Sequence, residues 1–265
     1  MAQAAGGQFI LRIEDIDQSR ARSEWEAQIY DDLAWLGIRW PQPVMRQSER
    51  LGVYTAALDD LWRRGLLYEC TCSRADIAAA TAAPQEGAPL LGPDGVVYPG
   101  TCRPGHAHRP ATPRPTGAAL RLNMAEALRQ TGYIGAGNPP VVFEEACHPD
   151  HRGVVCATGR DLLRDVGDIV LARRDMGTSY HLSVVLDDAA QGITDVVRGA
   201  DLFDATLIHV VLQKLLALPT PVYHHHRLIR DDNGKRLAKR DDARAISLFR
   251  SEGATPDDIR SIVGP

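Results

Sequence analysis

No uninterrupted apolar run in this 265-residue chain approaches the roughly 18 residues that a membrane-spanning helix needs, so no span is expected. A basic-then-apolar leader is also missing, which makes the cytoplasm the expected compartment. Net positive charge is lacking: 30 Lys and Arg against 34 Asp and Glu leave −4, which argues against indiscriminate binding to phosphate backbones. Cysteine is scarce, five residues in all, and in a leaderless chain these are expected to be reduced rather than paired. No internal repeat is visible. What is present is 44% hydrophobic, enough for a sizeable core in one large or two small domains.

The apolar residues fall into helix and strand periods. Trp25, Ile29, Leu33 and Leu36 recur at helical spacing before Gly37, and Tyr54, Leu58, Leu61 and Trp62 repeat the pattern before Gly65. Both helices are expected to cover a sheet, with their tryptophans in the core. The runs Leu120-Arg121-Leu122, Val141-Val142-Phe143 and Ile169-Val170-Leu171 predict strands of a smaller inserted module, and 207–218 predicts an apolar helix stopped by Pro219. Residues 75–95, rich in Ala, Pro and Gly, read as a helix end and an irregular insertion. Arg103, His106, His108, Arg109 and Arg114 gather in one Pro-rich stretch whose simplest reading is a solvated loop.

Three stretches look like strands that end in polar groups. Residues 9–17 begin apolar and deliver Glu14, Asp15 and Asp17 where the run stops; 180–188 end in Asp187-Asp188; 192–201 carry Arg198 and Asp201. Carboxylates at the carboxyl ends of parallel strands lie where open α/β sheets bind ligands. Near the end, 233–240 form a glycine-hinged basic loop containing Lys235, Arg236, Lys239 and Arg240, suited to closing over a polyphosphate. The three adjacent histidines His224, His225 and His226 point alternately to opposite faces of an extended segment, so they are expected to be ordinary histidines rather than a metal site.

Cys70-x-Cys72 and Cys102 put three thiols within reach of one metal, and zinc takes four ligands. Spacing offers His106 as the fourth through Cys102-x3-His106, and three buried cysteines without metal are the alternative. Cys147 and Cys156 have no convincing partners.

The Arg-Ile-Glu-Asp-Ile-Asp run at 12–17, the Asp187-Asp188 pair followed by Val-Val-Arg-Gly-Ala-Asp-Leu at 196–202, and the 236–240 loop resemble, in order and spacing, a class I aminoacyl-tRNA synthetase of the glutamate type. The loop is similar to the family's Lys-Met-Ser-Lys motif. The Arg-Gly-Ala-Asp form and the short carboxyl end look most like the glutamyl-queuosine tRNA(Asp) branch, which lacks an anticodon-binding domain, and the resemblance spans about residues 4–245. It implies a Rossmann-like α/β catalytic domain with an inserted zinc-bearing α+β module: 1–68 and 176–265 would form the nucleotide-binding fold and 69–175 the insert. It also implies ATP-dependent activation of L-glutamate, with Mg2+ entering on ATP, and transfer to queuosine in tRNA(Asp) by a monomer. The alternatives are a glutamyl-tRNA synthetase fragment charging a tRNA 3′ end and a non-catalytic zinc-bearing remnant.

By the same resemblance, Arg198 forks onto the glutamate side-chain carboxylate, Glu14 helps hold the amino group, and Tyr180 contributes a hydroxyl hydrogen bond. Lys239 contacts the ATP phosphates as the catalytic cation, with Arg236 beside it in place of a lysine and Ala238 in place of a serine. Tyr98 completes the zinc set with Cys70, Cys72 and Cys102. Asp15, Asp17 and Asp201 are read as caps and loop anchors rather than acids in catalysis. The family's opening strand, its Arg-x-Ala-Pro-Ser-like segment and its His-Ile-Gly-His-like turn have no counterpart before Phe9, which sets the expectation of weak or no activity for the chain as written.

Overall fold

The computed structural model describes residues 1–81, 90–105, 112–230 and 245–264. The chain forms two compact units: Met1–Arg50 with Leu228–Pro265, and Leu51–Arg227.

In the first unit, β1 (Arg12–Ile13) runs parallel to β2 (Met45–Arg46), with α1 (Ser23–Trp35) between them in sequence. The strand expected from Phe9 is therefore only two residues long, because its partner offers no more backbone to pair. Helix α1 ends as expected at Gly37, whose φ of 78° is a left-handed closing turn that favours glycine. The expectation that α1 buries its tryptophan fails: no α1 residue is fully buried, and Trp25 and Ile29 are exposed. A two-strand, two-residue sheet presents too little surface to cover. What ties α1 to β2 is polar: Glu26 accepts from Arg46 Nε at 3.0 Å, and Tyr30 Oη on the same helix donates to that carboxylate at 2.6 Å.

The second unit opens with α2 (Leu51–Arg63), which buries Tyr54, Leu58, Leu61 and Trp62 on one face as their spacing predicts. Then come β3 (Leu67–Cys70), α3 (Arg74–Thr81), and a small hairpin of β4 (Leu91–Gly92) and β5 (Gly95–Val96) turning at Pro93-Asp94. They are followed by β6 (Ala119–Leu122), α4 (Met124–Gln130), β7 (Val141–Glu145), β8 (Gly153–Ala157), α5 (Gly159–Asp165) and β9 (Val170–Ala172). Next are α6 (Tyr180–Ala190), β10 (Asp195–Gly199), α7 (Thr206–Leu215) and β11 (Val222–His226). Besides the β4-β5 hairpin, the described residues of this unit form an antiparallel sheet β3-β6-β9 and a mixed sheet β10-β11-β7-β8 in which β10, β11 and β7 are parallel. Leu58, Leu122, Val141, Phe143, Leu171, Leu182, Leu212 and Tyr223 belong to one core that both sheets share.

Residues 180–188, expected as a strand, are helix α6. An apolar run of this length suits either element. The deciding group is Ser179, whose side chain caps the helix by accepting from Leu182 N at 3.4 Å. Of the boundaries expected for an inserted module, 68/69 cuts through β3 and 175/176 follows β9 of the same sheet, while β7 from within that segment pairs with β11.

The chain then returns to the first unit with α8 (Ile246–Ser251) and α9 (Pro256–Val263). Arg250 bridges to Asp31 at 2.5 Å and Arg260 Nη2 donates to Leu36 O at 2.6 Å, so both returning helices are fastened to α1. Among the described residues, no helix is long and apolar enough to cross a membrane.

Candidate functional site

Parallel pairing of β10 with β11 sets Arg198 directly opposite His225, and the single β11–β7 pair, Tyr223 with Glu145, brings a carboxylate to the next strand. Side chains in register on neighbouring strands share a face, so the three meet. Arg198 Nε donates to His225 Nε2 at 3.0 Å, and His225 Nδ1 lies 2.5 Å from Glu145 Oε2. From α7, Thr206 Oγ1 accepts from Arg198 Nη2 at 2.6 Å and His209 Nδ1 lies 3.0 Å from Nη1; Leu202 O accepts from Nη2 at 3.3 Å. His209 Nε2 then meets His181 Nδ1 at 3.1 Å, beside Tyr180 at the start of α6. The Tyr180 ring centroid lies 5.8 Å from that of His209, so one imidazole touches both Arg198 and Tyr180.

The expected two-pronged fork is largely occupied by the protein. Four of the five guanidinium N–H groups have acceptors, which leaves one on Nη1 without a partner among the described residues. Burial by itself would raise the Glu145 pKa, but His225 and the backbone N–H groups of His225, Cys147 and His148 hold it down to about 2. Burial pushes His209 well below the usual imidazole range, helped by the Arg198 cation, and burial lowers His225 against the pull of Glu145. Both rings are neutral around a permanent cation.

A second cluster sits where β3 ends. Tyr98 Oη lies 3.6 Å from Cys70 Sγ and 3.4 Å from Cys72 Sγ, while Cys72 Sγ lies 3.4 Å from Cys102 Sγ. All three sulfurs fall within 4.8 Å of one another. A tetrahedral zinc with bonds of about 2.3 Å to sulfur and about 2.0 Å to oxygen has edges of roughly 3.5 to 3.8 Å, so the four donors fit it. Cys102 N also donates to Tyr98 Oη at 2.8 Å, Arg121 Nε donates to Cys70 Sγ at 3.3 Å, and the Arg121 guanidinium lies 3.8 Å over the Tyr98 ring. The Arg121 cation and the Cys102 N–H dipole favour negative charge on the donors, and burial opposes it. Hydrogen bonding from Tyr98 lowers Cys102 to about 6, and burial raises Tyr98. His106, the rival fourth ligand, lies outside the described residues, and Cys147 and Cys156 are exposed free thiols.

Glu14 belongs to the first unit, where it borders a cavity of about 1010 Å³ with Arg12, Asp15, Arg22, Trp25 and Arg46. Its Oε1 lies 3.1 Å from Arg12 Nη2. Asp15 accepts from Ser48 N at 2.9 Å and Ser48 Oγ at 2.6 Å, and Asp17 accepts from Ser19 Oγ at 2.6 Å, so both act as loop anchors. Arg236 and Lys239 lie outside the described residues.

Sequence reasoning missed Glu145, His181, Thr206, His209 and His225. Two signals were readable. Alternation along β11 leaves His225 alone buried between half-buried His224 and exposed His226, and Thr206 and His209 are three apart on one helix face. The carboxylate on β7 had no such signal, because its neighbour is set only by how the sheet assembles.

The chain matches the family described as tRNA synthetases class I (E and Q), catalytic domain, over residues 1–89 and 155–264. It is 61% identical over 264 residues to a Glutamyl-Q tRNA(Asp) synthetase of Rhodobacter capsulatus, an alignment covering 100% of this chain and 90% of the relative. A protein of the same name from Deinococcus radiodurans is 40% identical over 264 residues, covering 96% of this chain and 76% of the relative. Among solved structures, a glutamate tRNA ligase from Elizabethkingia meningosepticum, crystallised in complex with its amino acid, is similar in fold at a TM-score of 0.66 and 22% identity. That alignment covers 95% of this chain and 52% of the ligase, about half its length.

Proposed function

Because the chain belongs to the class I tRNA synthetases of the E and Q type, we propose that it is a ligase that activates L-glutamate with ATP and passes the glutamyl group to queuosine in the anticodon of tRNA(Asp). The observation that carries this is identity along the whole chain to proteins named for that reaction. Those relatives make a glutamyl-tRNA synthetase fragment and a non-catalytic remnant the less favoured readings.

In the first step a glutamate α-carboxylate oxygen attacks the α-phosphorus of ATP, which arrives with Mg2+, and pyrophosphate leaves. In the second, the acceptor on queuosine attacks the acyl carbon of glutamyl-adenylate and AMP leaves. Both displacements are governed mainly by positioning and by stabilisation of phosphate charge. Arg198 offers the glutamate side chain a half-buried cation and one remaining N–H, with Tyr180 across His209 as the hydroxyl partner. Such a site disfavours glutamine, which leaves the cation without a counter-charge. Glu14 is assigned to the substrate ammonium, and Lys239 with Arg236 to the ATP phosphates. Cys70, Cys72, Tyr98 and Cys102 would hold a structural zinc, which on binding ties the end of β3 to the 98–102 turn.

The test is incubation with radiolabelled glutamate, ATP and tRNA(Asp) with and without queuosine, followed by nuclease digestion and nucleoside mass spectrometry. Label on the modified anticodon nucleoside is expected; label on the terminal ribose, or equal labelling of tRNA lacking queuosine, overturns the assignment.

A further inference from the structure

Arginine can only donate, and this fixes the proton positions around Arg198. Its Nε–H requires His225 Nε2 as acceptor, so His225 carries its proton on Nδ1 and gives it to Glu145 Oε2. Its Nη1–H requires His209 Nδ1 as acceptor, so His209 is protonated on Nε2 and donates to His181 Nδ1. His181 must then carry its proton on Nε2, which lies 3.5 Å from Asp94 Oδ1. Two chains therefore leave the guanidinium, and each ends on a carboxylate one or two imidazoles away. Glu145 cannot turn to relax this order, because its Oε1 receives the N–H groups of Cys147, His148 and His225 at 2.9, 2.7 and 3.0 Å.

The interposed imidazole has a physical consequence. A carboxylate in direct contact with Arg198 would neutralise it and compete with a carboxylate ligand. With His225 between them, Glu145 holds the guanidinium in one plane while leaving its charge for another anion.

We propose that Glu145, His225 and His209 are positioning residues that fix the plane and the one remaining N–H of Arg198, and thereby set the preference for an amino acid with a carboxylate side chain over its amide. This rests on the reading of Arg198 as the partner of the substrate side chain. None of the three needs to touch substrate.

Glu145→Gln tests it with almost no change in shape. The new amide must turn its oxygen to the three backbone N–H groups, which points its NH2 at His225 Nδ1. His225 must then accept there and carry its proton on Nε2, donor to donor against Arg198 Nε–H. In glutamate-dependent ATP–pyrophosphate exchange, KM for glutamate is expected to rise about 10- to 100-fold, with kcat and KM for ATP within about threefold, and discrimination against glutamine is expected to fall in parallel. His209→Gln keeps one acceptor and one donor and is expected to resemble the parent, whereas His209→Leu is expected to raise KM for glutamate. Folding is checked by circular dichroism; if Glu145→Gln does not fold, the His209 pair decides, and equal KM values for its Leu and Gln variants overturn the proposal. An unchanged KM and glutamine discrimination in folded Glu145→Gln overturns it as well, provided Arg198→Ala raises KM. If Arg198→Ala leaves KM for glutamate unchanged, the reading of Arg198 itself fails.

Discussion

Tyr98 illustrates how one side chain can be ambiguous until its neighbours are known. A phenol is a poor metal ligand in water, yet here its oxygen faces two thiols and receives a backbone N–H, and its ring lies under the Arg121 guanidinium. The expected outcome is one zinc per chain by elemental analysis. Cys72→Ser should abolish stoichiometric binding, while Tyr98→Phe, which keeps three thiolates, should weaken it roughly 10- to 100-fold in competition with a chromogenic chelator. Equal zinc in Tyr98→Phe and the parent would remove the phenol from the ligand set. The cysteines were legible because their spacing is short; the role of Arg121 was not, since it comes from a different strand.

At the scale of elements, helix ends decide more than helix interiors. Thr158 and Asp161 form a reciprocal capping box at the start of α5, and Gly159 follows because a Cβ there would come within 2.6 Å of Ile134 Cγ1 and 2.8 Å of Tyr133 O. Thr158→Ala is expected to cost about 1 kcal/mol and Gly159→Ala about 1–3 kcal/mol in urea unfolding. If Gly159→Ala is as stable as the parent, the close approach of α5 to the 133–134 turn is not a constraint. The same logic explains an element misassigned from sequence. Ser179 capped a helix where the apolar run 182–186 suggested a strand, and a run without strict alternation cannot choose between them. By contrast α2, with strict helical spacing and a full core face, was legible in every buried position.

At the scale of the whole molecule, the buried Glu145, His209 and His225 give a definite pH dependence. His209 and His225 have folded pKa values below the ordinary 6.5, so the unfolded chain binds more protons as pH falls past that value, and stability present above it declines. Glu145, lowered from 4.5 to about 2, adds a further loss as pH falls through that interval. The urea midpoint is therefore expected to drop steadily from pH 7.5 to pH 4, and His209→Gln should flatten the part below about pH 6.5. A midpoint independent of pH would mean that these groups titrate alike in folded and unfolded chains. What the sequence by itself determined was chemistry carried by local order: the 196–202 motif, the Cys70-x-Cys72 pair, the spacing of α2, and through them the family. What only the tertiary structure decided was which groups from distant segments share a site, above all that Glu145 stands behind His225 and His225 behind Arg198. The reason is that residues close in sequence meet through backbone geometry alone, whereas neighbours 27 and 80 positions apart meet only after strands have chosen their order and register.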